Sequence, residues 1–326
     1  MKLLNCVTSY QRYPYLRNTV ESLLEHFRFG DTLVVDNGST DPSLLRYLEA
    51  LEGRGLSVMR RSSGGETDRP GLNDGMNDAV DFAAERGYDF VQFVQDDMQF
   101  MWHDPSILDT VQHVFSSRRD AVQVCPLYSN GLNYFATEEL EAIAELDCYR
   151  HTTLSLRPIG FVSVDQLRKQ SFKFVEETVN SQFWWDRSYR VYYLHSPVLA
   201  WIPWPSSFLN GEQQYPIRPP AEKYYLKPLS PRQIDRLTDR PLSEVPYHEH
   251  YCRPWGWACL TPYWFFGRRD YQDYTRHVLV AWRHRRPTVP RWTSSGIPRY
   301  FSPGPGVYGR LIKDALGHAT RKVFRR

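Results

Sequence analysis

The chain has 326 residues, enough for one large α/β domain with an extension or for two small domains. With 41% hydrophobic and 24% charged residues it can fill a core, which excludes global disorder. The formal charge of +3 is unevenly spread. Residues 281–326 hold eleven Lys or Arg and one acid, Asp314, so this tail carries about +10 and the remainder about −7.

A basic tail on a near-neutral or acidic body is matched to something anionic, such as lipid headgroups, a lipid-phosphate acceptor or nucleic acid. No nucleic-acid motif accompanies it, so nucleic acid is not expected as a partner. The five cysteines, Cys6, Cys125, Cys148, Cys252 and Cys259, are widely spaced and show no zinc pattern, which suits a reducing compartment. The start, MKLLNCVTSY, enters a strand-like pattern directly, without the look of a secretory signal. The most apolar long stretch, residues 192–209, is broken by His195 and three prolines. The expectation is a cytoplasmic protein, at most peripheral to a membrane.

In chain order, residues 3–9 are a short apolar run. A helix follows with Leu16, Val20, Leu23, Leu24 and Phe27 on one face. Residues 32–36 form a β-branched run ending in an acid. Asp41 and Pro42 read as an N-cap and a first helical position, opening a helix with Leu44, Leu45, Leu48 and Leu51. Residues 56–59 are a third strand. After a Gly-rich loop, residues 73–86 read as a helix with Met76, Val80, Ala83 and Ala84 on one face. Residues 90–94 are a fourth strand, ending at Gln95-Asp96-Asp97.

Further along, residues 121–126 and 190–194 look like strands and residues 175–185 like a helix. Residues 203–231 are rich in Pro and aromatics and read as a long surface excursion. Residues 251–267 are an aromatic stretch. The chain closes in an amphipathic helix with Ile312, Ala315, Leu316, Ala319 and Val323 on one stripe among basic residues. Such a helix lies at an anionic membrane surface or docks on its own domain.

Strands alternating with helices imply βαβ units and a mostly parallel sheet. In such sheets ligands bind beyond the carboxyl ends of the strands. Ser9, Asp36, Asp96 and Asp97 sit at those ends, a candidate ligand site read from position alone.

Three segments resemble motifs of the family 2 glycosyltransferases. The first is Val7-Thr8-Ser9-Tyr10-Gln11-Arg12. The second is Val35-Asp36-Asn37-Gly38-Ser39-Thr40-Asp41. The third is Gly71-Leu72-Asn73-Asp74-Gly75-Met76-Asn77 followed by Phe93-Val94-Gln95-Asp96-Asp97. Their order and spacing agree over about 100 residues. The resemblance implies a GT-A fold, in which a Rossmann-like, mostly parallel central sheet is flanked by helices, here with a C-terminal extension. It also implies an inverting transferase that moves a sugar from a nucleotide-diphosphate sugar, with a UDP- or TDP-sugar favoured, to a glycan or lipid-linked acceptor.

The residues carry matching chemistry. A strand-end carboxylate can accept the N–H and O–H groups of a nucleotide, and Asp36 is placed for that role, with a turn carboxylate as the alternative. The resemblance puts Thr8, Ser9, Tyr10, Arg12, Asp36, Asn37, Asn73, Asn77 and Asp96 at the donor. A diphosphate leaving group calls for Mg²⁺ or Mn²⁺, which take hard oxygen ligands, and Asp97 stands where the family has its final metal-binding Asp. Gln95 departs from the pattern, since the family's first acid stands there. The inverting mechanism implies a carboxylate base. Counting back from the Tyr189-Arg190-Val191-Tyr192-Tyr193 strand, the family's acidic pair falls on Glu176 and Glu177. Glu177 is the candidate base, with Asp186 as the alternative. His250, beside Glu249 and His248, is a candidate extra metal ligand. Trp184 and Trp185 read either as acceptor-stacking or as core residues.

The expected organisation is a glycosyltransferase domain over residues 1–210, with a donor half over 1–100 and an acceptor half over 101–210. An extension covers 211–326. Two other readings compete. A catalytically silent homologue would bind nucleotide or glycan only. A sugar nucleotidyltransferase would share the architecture but usually has a Gly-rich basic loop after the first strand, where this chain has Ser9-Tyr10-Gln11-Arg12-Tyr13-Pro14.

Overall fold

The computed structural model describes residues 1–61, 71–127, 140–153, 156–201, 207–209, 212–214 and 228–243. The aromatic stretch 251–267, His248, His250, the cysteines at 252 and 259 and the basic C-terminal segment lie outside the described residues. In chain order the elements are β1 (Leu3–Ser9), α1 (Tyr13–His26), β2 (Asp31–Asp36), α2 (Pro42–Gly53), β3 (Ser57–Arg60), α3 (Leu72–Glu85), β4 (Phe90–Gln95), β5 (Met98–Phe100) and α4 (Ile107–Ser117). Then come β6 (Ala121–Cys125), β7 (Leu140–Ile143), β8 (Cys148–His151), β9 (Gly160–Ser163), α5 (Val164–Lys169), α6 (Glu177–Trp185), β10 (Arg190–Leu194), β11 (Leu199–Trp201), β12 (Ser207–Leu209), β13 (Glu212–Gln214) and α7 (Pro231–Thr238).

Nine strands form one sheet in the order β3-β2-β1-β4-β9-β6-β10-β8-β7. The pairs β3·β2, β2·β1, β1·β4 and β6·β10 are parallel. Strands β9 and β8 run against their neighbours, so the other seven strands share one direction. The expected α/β class with a mostly parallel sheet flanked by helices is therefore what the chain adopts. The sheet also joins the two expected halves, because β9 of the later half lies between β4 and β6.

Strand β1 shows why the sheet needs helices on both faces. All seven of its residues are buried, as in a central parallel strand. With side chains alternating, Leu3 and Val7 enter one core and Leu4 and Cys6 the other. On the first face pack Leu16, Val20 and Leu23 of α1, Leu44, Leu48 and Leu51 of α2, and Val111 and Val114 of α4. On the second pack Met76, Ala79, Val80 and Ala83 of α3, Leu167 of α5 and Trp184 of α6.

Local signals set the helix starts. Asp41 accepts hydrogen bonds from the backbone N–H groups of Ser43 and Leu44, both at 2.8 Å, and Pro42 follows as the first helical residue. Helix α6 begins at Glu177, two residues later than its sequence pattern suggests. Glu176 is extended (φ −149°, ψ 145°), and the backbone of the two residues before it is held by side chains from α3 and α6. Part of the expected extension packs on the domain: Leu229 and Leu237 join the first core, and Arg240 donates to the carbonyl of His195. Among the described residues no helix is long and apolar enough to cross a membrane.

Candidate active site

The parallel register brings the strand ends together. Ser9 lies beside Asp36 across β1 and β2, and Thr8 lies beside Gln95 across β1 and β4. Asp96 therefore follows directly at the sheet edge next to Ser9. Three polar loops meet there, as a doubly wound sheet requires.

The loop after β1 is tied to both neighbours. Its Ser9 Oγ donates to Asp96 Oδ2 at 3.1 Å, and the Tyr10 N–H donates to the same oxygen at 3.4 Å. Gln11 takes a left-handed backbone (φ 57°), unusual for a residue with a side chain. The neighbouring loop fixes this conformation. Gln11 Oε1 accepts from the N–H groups of Thr40 and Asp41, and its own N–H donates to Ser39 Oγ at 2.9 Å. Gln11 belongs to the first motif segment, but nothing in the sequence marked this bridging role, because its partners lie about thirty positions away.

Asp36 is 2% exposed and closes its own turn, accepting from the Ser39 N–H at 3.0 Å and from the Ser39 hydroxyl. Burial raises its carboxyl above the ordinary range, with the Ser39 bonds opposing. The turn-carboxylate alternative thus describes these contacts, while the residue still stands at the strand-end edge. Asn37 is buried with its N–H on Ser9 O at 3.0 Å, and its Oδ1 has no partner. Helix α3 packs against it through Gly75, where a Cβ would lie 3.0 Å from Asn37 Oδ1 and 3.1 Å from Val35 Cγ1. Thr8 is buried, its hydroxyl 3.5 Å from Val94 O.

Asp96 and Asp97 form a buried acid pair after β4. Arg12 bridges them, at 2.7 Å to Asp96 Oδ1 and 3.2 Å to Asp97 Oδ2. Burial raises the Asp96 carboxyl above the ordinary range, with the Arg12 guanidinium limiting the rise. Asp97 Oδ1 is buried and has no hydrogen-bond partner. A buried carboxylate oxygen without a partner is costly, and a hard cation is a suitable partner for it. The residues present therefore fit Mg²⁺ or Mn²⁺ through Asp97. Among the described residues no group of three His, Cys, Asp or Glu could hold a metal alone, so further ligands would come from the substrate or water.

Asn73 and Asn77, expected at the donor, hydrogen-bond the backbone of residues 174 and 175. Asn77 Nδ2 donates to Phe174 O at 2.9 Å, and its Oδ1 accepts from Phe174 N at 2.8 Å. Asn73 Nδ2 donates to Val175 O at 2.8 Å. Buried Asn180 completes the clamp, its Oδ1 accepting from Val175 N at 2.9 Å and its Nδ2 donating to Asn73 Oδ1 at 3.4 Å. The reason is geometric: a helix-facing carboxamide matches an extended backbone on both donor and acceptor edges. Asn180 escaped sequence reading, since an asparagine inside a helix carries no distinctive signal.

The clamp sets Glu176 and Glu177 at the start of α6. A pocket of about 180 Å³ opens there, lined by Asn73, Arg157, Phe174, Glu177 and Asn180 among others. Asp186 is at the opposite end of α6, as its C-cap, bonded to Gln182. At 1.5 Å per residue, that is roughly 13 Å along the axis from Glu177, so the two carboxylates do not share a site. Trp184 is fully buried among Phe172, Phe183 and Tyr189, a core residue. Trp185 stacks under the Arg190 guanidinium at 3.6 Å.

No protein-family model matches the chain, and no curated protein matches it. Solved structures with a similar fold include S. aureus TarS, at 17% identity and a TM-score of 0.45, covering 63% of this chain and 37% of that one. S. aureus TarS 1–349 in complex with UDP-GlcNAc matches at 20% identity and a TM-score of 0.40, covering 60% and 56%. The mannosyltransferase PcManGT from Pyrobaculum calidifontis, in complex with GDP-Man and Mn²⁺, matches at 16% identity and a TM-score of 0.42, covering 58% and 53%. The chain thus spans less than two thirds of the length of each of these structures. These likenesses concern fold alone.

Proposed function

We propose that the chain is a glycosyltransferase that takes a sugar from a nucleotide-diphosphate sugar and places it, with inversion, on a glycan or lipid-linked acceptor. The observation that supports this best is the buried pair Asp96 and Asp97 beside Ser9 and Asp36, with Asp97 Oδ1 left without a partner at a strand-end edge. Asp36 and Asn37 serve the nucleoside, and Tyr10 and Arg12 serve the ribose and diphosphate. A divalent cation, when bound, neutralises charge developing on the departing diphosphate. Asp97 is the residue that would hold it.

Glu177 lines the pocket at the start of α6 and is exposed, so it can meet an acceptor hydroxyl. Its carboxylate takes the hydroxyl proton as the oxygen attacks the sugar carbon on the face opposite the diphosphate. The clamp of Asn73, Asn77 and Asn180 fixes the backbone before this residue, and Gly75 joins α3 to the Asn37 turn. A continuous set of contacts thus links the donor edge to the base. The basic segment 281–326 is suited by charge to an anionic membrane surface near a lipid-linked acceptor.

Calorimetry with UDP, with and without Mn²⁺, on wild type and Asp97→Ala tests the donor site. The expected result is UDP binding that Mn²⁺ tightens in wild type but not in the variant. Absence of binding for UDP, TDP and GDP alike would sink the transferase reading. Nucleotide binding without sugar release on any donor or acceptor would favour the silent homologue.

A further inference from the structure

We propose that Arg12 is an internal counter-ion that makes divalent-cation binding depend on the nucleotide, and that Asp96 is the positioning residue that holds Arg12 in place. This rests on the donor-site reading above. The two acids differ in what they leave open. Asp96 is 1% exposed and both its oxygens are engaged: Oδ1 by Arg12 at 2.7 Å, and Oδ2 by Ser9 Oγ and the Tyr10 N–H. Asp97 shares Oδ2 with Arg12 at the longer distance of 3.2 Å and keeps Oδ1 without a partner.

Charge decides how a cation meets this site. Two carboxylates and one guanidinium give a net charge of −1, and Gln95, standing where the motif has an acid, adds none. A cation approaching alone finds one unpartnered but buried oxygen and a fixed positive group beside it, which weakens its attraction. A diphosphate changes both conditions. It supplies hard oxygens to the cation and offers the guanidinium fork a second anion. Arg12 then keeps its shorter bond to buried Asp96 and turns its other edge from Asp97 to phosphate, releasing Asp97 Oδ2. Nucleotide and cation therefore bind with positive coupling, equal in both directions by linkage.

The test titrates Mn²⁺ alone, UDP alone and each in the presence of the other into the full chain by calorimetry. Wild type, Arg12→Gln and Arg12→Lys are compared, with folding checked by circular dichroism. Site–site couplings typically span about 5- to 150-fold. Wild type is expected to bind Mn²⁺ roughly tenfold tighter with UDP than without. In Arg12→Gln, Mn²⁺ alone should bind roughly tenfold tighter than to wild type, and the gain from UDP should shrink accordingly. Arg12→Lys keeps the charge but loses the fork and should fall between. A folded Arg12→Gln whose nucleotide-free Mn²⁺ affinity is unchanged or weaker overturns the proposal. If that variant does not fold, Arg12→Lys decides by the same sign. Failure of every form to bind UDP, GDP or TDP would instead remove the donor-site reading on which this rests.

Discussion

Asn77 grips the main chain of Phe174 on both edges, donating to its carbonyl at 2.9 Å and accepting from its N–H at 2.8 Å. The two residues are 97 positions apart, and this pairing fixes the segment before Glu177 against α3. The same helix meets the Asn37 turn through Gly75, on its other side.

Loosening that grip should uncouple turnover from donor binding. Asn77→Ala leaves the Phe174 N–H and C=O without their partners, at a cost of about 1–3 kcal/mol. Urea denaturation should show this loss, and UDP affinity should stay within about twofold. Sugar transfer or donor hydrolysis should drop by more than the remaining folded fraction explains. Equal losses in affinity and turnover would mean that the clamp serves the donor itself.

Glu177→Gln keeps shape and hydrogen bonding but cannot take a proton. Its turnover is expected to fall by about 10²- to 10⁴-fold with donor affinity preserved. Asp186→Asn, at the far end of α6, should behave as wild type. The opposite pattern in a release assay for the diphosphate would assign the base to Asp186.

Gly75→Ala sets helix propensity against space. The added methyl favours the helix by about 0.5–1 kcal/mol, while its Cβ falls 3.0 Å from Asn37 Oδ1 and 3.1 Å from Val35 Cγ1. Stability should change by under about 1 kcal/mol. The Asn37 turn must shift by a few tenths of an ångström, so UDP affinity should fall several-fold. Unchanged affinity in calorimetry would show that the turn yields without touching the nucleotide.

Buried His151 predicts an acid-sensitive core. Its Nδ1 accepts from the Thr153 N–H at 3.1 Å, and burial, aided by the Arg157 charge, pushes its pKa down to about 3. In the unfolded chain a histidine titrates near 6.5. Between these values the unfolded state binds the extra proton, so stability is full above about pH 6.5 and falls as pH drops toward 3. At pH 5 the loss from this group is about 2 kcal/mol. Urea midpoints at pH 7 and pH 5 should converge in His151→Gln relative to wild type.

The strand-end acids were readable because the chemistry coincides with local pattern. Residues 3–9, 31–36 and 90–95 are apolar or β-branched runs that stop at polar residues, and a parallel sheet puts such stops on one edge. The Asp41-Pro42 helix start was legible for the same reason, since a cap acts within three residues of itself. Asn73 and Asn77 were placed at the donor by the resemblance of their segment to a family motif. Their partners at 174–175 lie a hundred positions away, beyond any periodicity. Gln11 stood inside the first motif with no sign of its partners at 39–41, and Asn180 carried no signal at all.

The sequence by itself determined the alternation of strands and helices, the polar strand ends and the acid pair, because each depends on neighbours within a few residues. Only the tertiary structure decided how these groups are divided. Asp96 is turned to Arg12 and the β1 loop, while Asp97 keeps one buried oxygen without a hydrogen-bond partner. Asp36 closes its own turn. Glu177, and not Asp186, lines the pocket. Burial and partner geometry set each of these outcomes, and both arise where segments far apart in the chain are packed against one sheet.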